Sequence, residues 1–139
     1  MTYEAKIVER WSPPSDFTIA DITAIAKGAL LRMTDPRTAI VGAALGYKAG
    51  IAAREKVASD GRTNLAVYTD GKFRVYISGA VNTGQALAFA SDIATYPNHL
   101  AVANSGAGTA SGAQIFAIAE ENCVGGVLNV IQVRLVSGL

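Results

Sequence analysis

The sequence predicts a mostly β fold: a compact β-barrel or β-sandwich-like domain with at most one or two short helices and an extended N-terminal arm. Two observations carry this. Short runs alternate apolar and polar residues with period two, as a strand with one buried face requires. The 14 glycines among 139 residues recur so often that long helices have little room.

Tyr3, Ala5 and Ile7 alternate with Glu4, Lys6 and, further on, Arg10. This opening strand is stopped by Trp11-Ser12-Pro13-Pro14-Ser15, because proline has no N–H to give a ladder. Residues 1–16 therefore form the arm, and 17–139 one β-rich domain. Thr38 to Ala58 is alanine-rich, but Gly42, Gly46 and Gly50 would each cost a helix about 1 kcal/mol relative to alanine. Strands and turns are expected there, the alternative being a helix whose glycine face packs on a sheet.

Leu65 and Val67 alternate with Ala66 and Tyr68, and Phe73, Val75 and Ile77 with Arg74 and Tyr76. The turn Thr69-Asp70-Gly71-Lys72 between them predicts a hairpin with Asp-Gly at its tip. Gly28, Gly61, Gly79, Gly84, Gly112 and the Gly125-Gly126 pair mark turns or bulges, and Ser105 to Gly112 reads as a small-residue loop. Ile131, Val133 and Leu135 against Gln132 and Arg134 form a closing strand. No linker, repeat or charge block divides the chain.

A formal net charge of +1 offers neither the basic stripe that phosphate backbones need nor an acidic face, so nucleic acid is not an expected partner. The single cysteine, Cys123, and single histidine, His99, supply no soft-metal ligand set and no internal disulfide; no metal or cofactor is expected. Met1-Thr2-Tyr3-Glu4-Ala5-Lys6 carries an early acid and no apolar run, unlike a secretory signal, so the chain is expected to stay in the cytoplasm where it is made. Thr38 to Ala53 is shorter than the roughly 20 residues that span a bilayer, and Lys48 interrupts it; no membrane segment is expected. Half of all residues are hydrophobic, enough that some surface should be buried against other subunits.

Candidate chemical groups fail on spacing. Gly106 to Gly112 has Ser111 where a dinucleotide loop wants glycine, and no acid follows at the proper distance. His99, after Tyr96-Pro97-Asn98, reads as a surface or turn histidine without triad partners. Glu120 and Glu121 are adjacent, hence on different faces, and read as a solvated turn. Cys123 reads as a small filler, and Ser78 and Ser111 lack the nucleophile-elbow pattern. The expectation is binding and assembly rather than catalysis. Trp11, Phe17 and Pro13-Pro14 put large apolar groups on an extended arm, which either anchors on a partner by strand addition or folds back with Trp11 as a lid.

Three segments carry a family resemblance: Ile25-Ala26-Lys27-Gly28-Ala29-Leu30-Leu31-Arg32-Met33-Thr34-Asp35-Pro36-Arg37-Thr38; Gly50 through Gly71, including Ala53-Arg54-Glu55-Lys56-Val57-Ala58-Ser59-Asp60-Gly61-Arg62; and Ser78-Gly79-Ala80-Val81-Asn82-Thr83-Gly84-Gln85-Ala86-Leu87. Together, about half the chain resembles the phage capsid decoration, or cement, proteins. Trp11 to Ser15, Ile40 to Leu45 and Asp92 to Ser111 depart from the family pattern. The resemblance implies a small β-barrel-like virion protein that sits as a homotrimer at three-fold or local three-fold positions on the outside of an HK97-type icosahedral head. Its implied partners are the major capsid protein and itself. Tyr3, Ile7, Trp11, Pro13, Pro14 and Phe17 of the arm are the expected capsid-binding residues. The alternative reading is a β-barrel ligand- or carbohydrate-binding surface module.

Overall fold

The strands expected from period-two alternation are what the chain forms. The computed structural model describes residues 3–42, 46–90, 97–103, 115–124 and 129–135, and among these there is no helix. The strands are β1 (Lys6–Glu9), β2 (Ser15–Thr18), β3 (Leu30–Asp35), β4 (Thr38–Val41), β5 (Tyr47–Ala52), β6 (Asn64–Tyr68), β7 (Lys72–Ile77), β8 (Ala86–Phe89), β9 (His99–Val102), β10 (Ala117–Ala119) and β11 (Asn129–Leu135). In the alanine-rich stretch from Thr38, the described residues form strands at Thr38–Val41 and Tyr47–Ala52, while Ala43 to Leu45 lie outside the described residues.

Two five-stranded barrels result. The first closes in the order β2-β4-β3-β5-β6. The second runs β7-β11-β10-β8-β9 and closes through a β7–β9 pairing, with β1 added along the outer edge of β7.

The barrels are duplicates in topology. In each, the first strand pairs parallel with the third (Thr18 with Thr38; Tyr76 with His99) and antiparallel with the fifth (Phe17 with Leu65; Val75 with Ile131). The second strand pairs antiparallel with the third and fourth, and the fourth with the fifth. Bridges outside the strands also match: Ile25 exchanges backbone hydrogen bonds with Lys56, and Val81 with Cys123. Both barrels have a turn closed by glycine at positive φ, Gly28 (82°) and Gly84 (89°), whose N–H groups donate to Ala52 O and Ala119 O. The left-handed residue before the third strand is repeated too, as Arg37 (55°) and Asn98 (60°). With this register as guide, Ile25-x-x-Gly28-x-x-Leu31 matches Val81-x-x-Gly84-x-x-Leu87, and Ile51-Ala52 with Val57 matches Ile118-Ala119 with Val124.

Two expectations from the sequence are corrected by this topology. The first is the absence of a repeat: inward positions need only an aliphatic side chain of suitable size, so two copies diverge in identity while keeping the pattern. The second is the hairpin: β6 pairs with β5 and β2, while β7 pairs with β11, β1 and β9. Thr69-Asp70-Gly71-Lys72 is the passage from one barrel to the other.

Each barrel has its own core. Ile19, Ile25, Leu31, Leu65 and Val67 fill the first. The cluster of the second, with Val75, Leu87, Leu100, Phe116 and Val133, also takes in Ala5, Leu30 and Ile51. Alternation explains the sharing: Leu31 faces into its own barrel, so its neighbour Leu30 faces out and is covered by the second. Burying such a leucine or isoleucine contributes about 1.5–3 kcal/mol. Gly42 makes room at this junction, since a Cβ there would strike the ring of Phe89.

Candidate functional site

The opening segment divides into an anchored start and an exposed remainder. Tyr3 is half-buried, its ring edge-on to Tyr76 (centroids 5.1 Å apart) and His99 (4.7 Å). Ala5 is buried, and its N–H donates to Gly28 O. Asn98 ties the start down: its Nδ2 donates to Tyr3 O (2.6 Å) and Gly28 O (3.1 Å), while its Oδ1 accepts from Leu30 N–H (2.7 Å). One side chain thus joins the N-terminal segment, the first barrel and the start of β9 in the second.

From Lys6 onward β1 is exposed along its whole length. It pairs with Lys72 to Arg74 of β7, and the register shifts between Ile7 and Glu9. Such a shift marks a bulge, and bulges twist edge strands away from uncontrolled pairing. Ile7 is 43% exposed, Val8 49% and Trp11 46%, so the stretch before the prolines carries three large apolar side chains in solvent. Trp11 belongs to neither core cluster; its Nε1 donates to Glu9 Oε1 (2.7 Å). Ser12 Oγ donates to Asp70 Oδ2 (2.7 Å), fixing the segment to the passage between the barrels. Pro13 is exposed and Pro14 half-buried. Phe17 lies on β2, half-buried against the first core. Of the six expected arm residues, Ile7, Trp11 and Pro13 are therefore exposed, whereas Tyr3 and Phe17 pack against the barrels. Val8, absent from the expected set, joins the exposed three because the bulge disrupts alternation. The boundary drawn at residue 16 falls inside β2.

His99 corrects a further expectation. It is 2% exposed, with Nδ1 2.7 Å from Pro97 O, because it opens β9 beneath Tyr3. Glu120 and Glu121 do meet solvent, but each also meets a cation of β7: Lys72 Nζ lies 3.6 Å from Glu120, and Arg74 Nη1 lies 3.1 Å from Glu121. Cys123 is half-buried, its Sγ 3.4 Å from Gly79 O. Among the described residues no group of three or more His, Cys, Asp or Glu could hold a metal ion. Gly106 to Gly112, and Gly125-Gly126, lie outside the described residues.

At one end of the first barrel sits a polar device that the sequence did not announce. Lys56 is 1% exposed, its ammonium among Asp21 O (2.8 Å), Asp21 Oδ1 (3.2 Å), Val57 O (2.6 Å) and Asp60 Oδ1 (2.7 Å). Burial pulls the lysine down, but the hydrogen bonds it donates to Asp60 and Asp21, with their charges, outweigh it and hold it above its ordinary value. The Lys56 hydrogen bond, aided by Arg62 N–H, holds Asp60 below the usual carboxylate range. The cage fixes the two loops that carry Ile22 and Val57, both strongly exposed. Val124, also exposed, occupies the position in the second barrel that Val57 occupies in the first.

No protein-family model matches the sequence, and no curated protein matches it.

Proposed function

We propose that the protein is a structural component of an icosahedral tailed-phage head, binding its outer surface as a homotrimer at three-fold or quasi-three-fold sites and stabilising the shell. Resemblance over about half the chain suggests the class. The observation that carries the reading in the structure is the exposed row of Ile7, Val8 and Trp11 on a bulged edge strand. Exposed aromatic and aliphatic anchors beside an open strand edge favour docking onto a protein surface.

The work is mechanical rather than catalytic. Once one protomer of a trimer docks, the others bind at high effective concentration, adding roughly 10² to 10⁴ over a single contact. Individually modest contacts then suffice to bridge capsomers. The barrels suit this role because closed sheets leave few edges open to unwanted pairing.

Light scattering of the purified protein and co-sedimentation with expanded and unexpanded HK97-type heads test the proposal. A trimer mass with saturable binding to heads is expected. A monomer that stays in the supernatant at all protein-to-head ratios would overturn it.

A further inference from the structure

The duplicated register lets each surface position of one barrel be compared with its counterpart in the other. Asp16 corresponds to Arg74, because they pair with Ala66 and Gln132 respectively. Arg54 corresponds to Glu121, each two residues beyond the matched Ala52 and Ala119. In the second barrel these positions are closed by the chain itself. Arg74 Nη1 pairs with Glu121 Oε1 (3.1 Å), Arg74 Nη2 donates to Val130 O (3.0 Å), and Glu121 accepts from Gln132 N–H (2.6 Å). Gln132 Nε2 then reaches Glu120 (2.9 Å).

In the first barrel the signs are exchanged but the pair is not made. Asp16 and Arg54 form no ion pair, and among the described residues the guanidinium groups of Arg54 and Arg62 have no partner. Ala66 stands where Gln132 covers the other barrel, and Ala53 where Glu120 stands. The result is an open cleft of about 550 Å³ between Asp16, Arg54, Arg62 and Ala66.

We infer that this cleft on the first barrel is a docking site for an extended protein segment bearing a carboxylate side chain, which Arg54 and Arg62 hold as Arg74 holds Glu121 in the second barrel. The wall residues argue for this chemistry. Guanidinium matches carboxylate with paired hydrogen bonds. Asp16 on the same wall disfavours a doubly charged phosphate more than a singly charged carboxylate. The cleft is open and of mixed polarity, unlike the enclosed apolar cavities that take small molecules. This inference rests on the proposed function in one respect: it identifies the segment's source as the coat protein.

The test titrates isotopically labelled protein with an acetylated, amidated five-residue peptide carrying glutamates at positions two and four among alanines. Inorganic phosphate and the matching lysine peptide are the other arms. Shifts of the Arg54 and Arg62 side-chain signals and the Gly61–Asn64 amides are expected with the glutamate peptide alone. R54Q and R62Q should each weaken binding about tenfold or more, the scale of a lost charge-assisted hydrogen bond. The double variant D16R/R54E leaves the net charge unchanged, closes the cleft as in the second barrel, and should abolish the shifts while the amide spectrum elsewhere stays native. Absence of shifts at millimolar peptide, equal binding of phosphate, or unchanged binding by D16R/R54E would overturn the inference. Head co-sedimentation separates the two proposals. Peptide binding by a wild-type protein that ignores heads sinks the capsid reading and leaves the cleft standing, whereas undiminished head binding by D16R/R54E removes the coat protein as its occupant.

Discussion

A lysine, an asparagine and a glycine carry most of what individual residues decide in this fold. Lys56 is buried because four oxygens receive its ammonium, and the two carboxylates it meets set its pH behaviour. Asp60, depressed in the folded chain, contributes stability above its unfolded value near 4, and that contribution is lost as pH falls through the lower folded value. Lys56, raised, contributes below about 10.4 and loses it as pH rises through the folded value. Asp60→Asn should therefore lower Tm more at pH 7 than at pH 3. Thermal unfolding at both values checks this, and an equal deficit at both would contradict the cage. Asn98→Ala removes this partner from Tyr3 O and Leu30 N–H and leaves Gly28 O with Ala5 N–H alone. A loss of about 1–3 kcal/mol is expected, because buried groups left unsatisfied bear the desolvation penalty, and urea unfolding measures it. Gly42→Val should cost a similar 1–3 kcal/mol by overpacking against Phe89, with faster exchange of the Leu30 and Ala52 amides at the junction as its local signature.

At the scale of elements, strands were legible and their partners were not. Alternation at Leu65 to Tyr68, Phe73 to Ile77 and Ile131 to Leu135 located β6, β7 and β11, because each strand needs only a local pattern to bury one face. Asp70-Gly71 also looked like a hairpin tip, since a turn's chemistry is local. Whether the flanking strands then pair depends on distant neighbours, and in this chain β5 and β11 win over the adjacent strand. The opening strand shows the same split. Its alternation correctly turned Ala5 inward, but Ile7 is largely exposed, because the bulge at Val8 and the edge position break the period. The anchoring of Tyr3 and Ala5 has a practical consequence: deleting residues 2–15 would remove β1 from β7 and, with it, the Asn98–Tyr3 hydrogen bond and the packing of Ala5. Point substitutions on the exposed stretch are therefore the cleaner probe of the arm. Of the cleft, only the charges of Arg54 and Arg62 could be seen in the sequence; that they lack partners emerges from comparison with the other barrel. The faint matches of Ile25-x-x-Gly28-x-x-Leu31 to Val81-x-x-Gly84-x-x-Leu87 and of Ile51-Ala52 to Ile118-Ala119 were the signals that could have led there.

Among the described residues the molecule repeats one barrel topology twice, with matching register and different surfaces. The second copy closes its flank with Arg74 and Glu121; the first leaves the matching flank open and cages Lys56 where the second has Cys123. Such divergence suits a protein that must hold a rigid shape and present different faces to different neighbours. In the proposed assembly, the exposed stretch of β1 and the loop after it are the face that meets the head. The most direct measurement is co-sedimentation of the I7E/W11A variant with expanded heads, its fold verified by the dispersion of its amide spectrum. Loss of head binding by at least tenfold with the fold and oligomeric mass unchanged is expected, in line with removal of central apolar anchors. Binding equal to wild type would show that this face is not the one that meets the head.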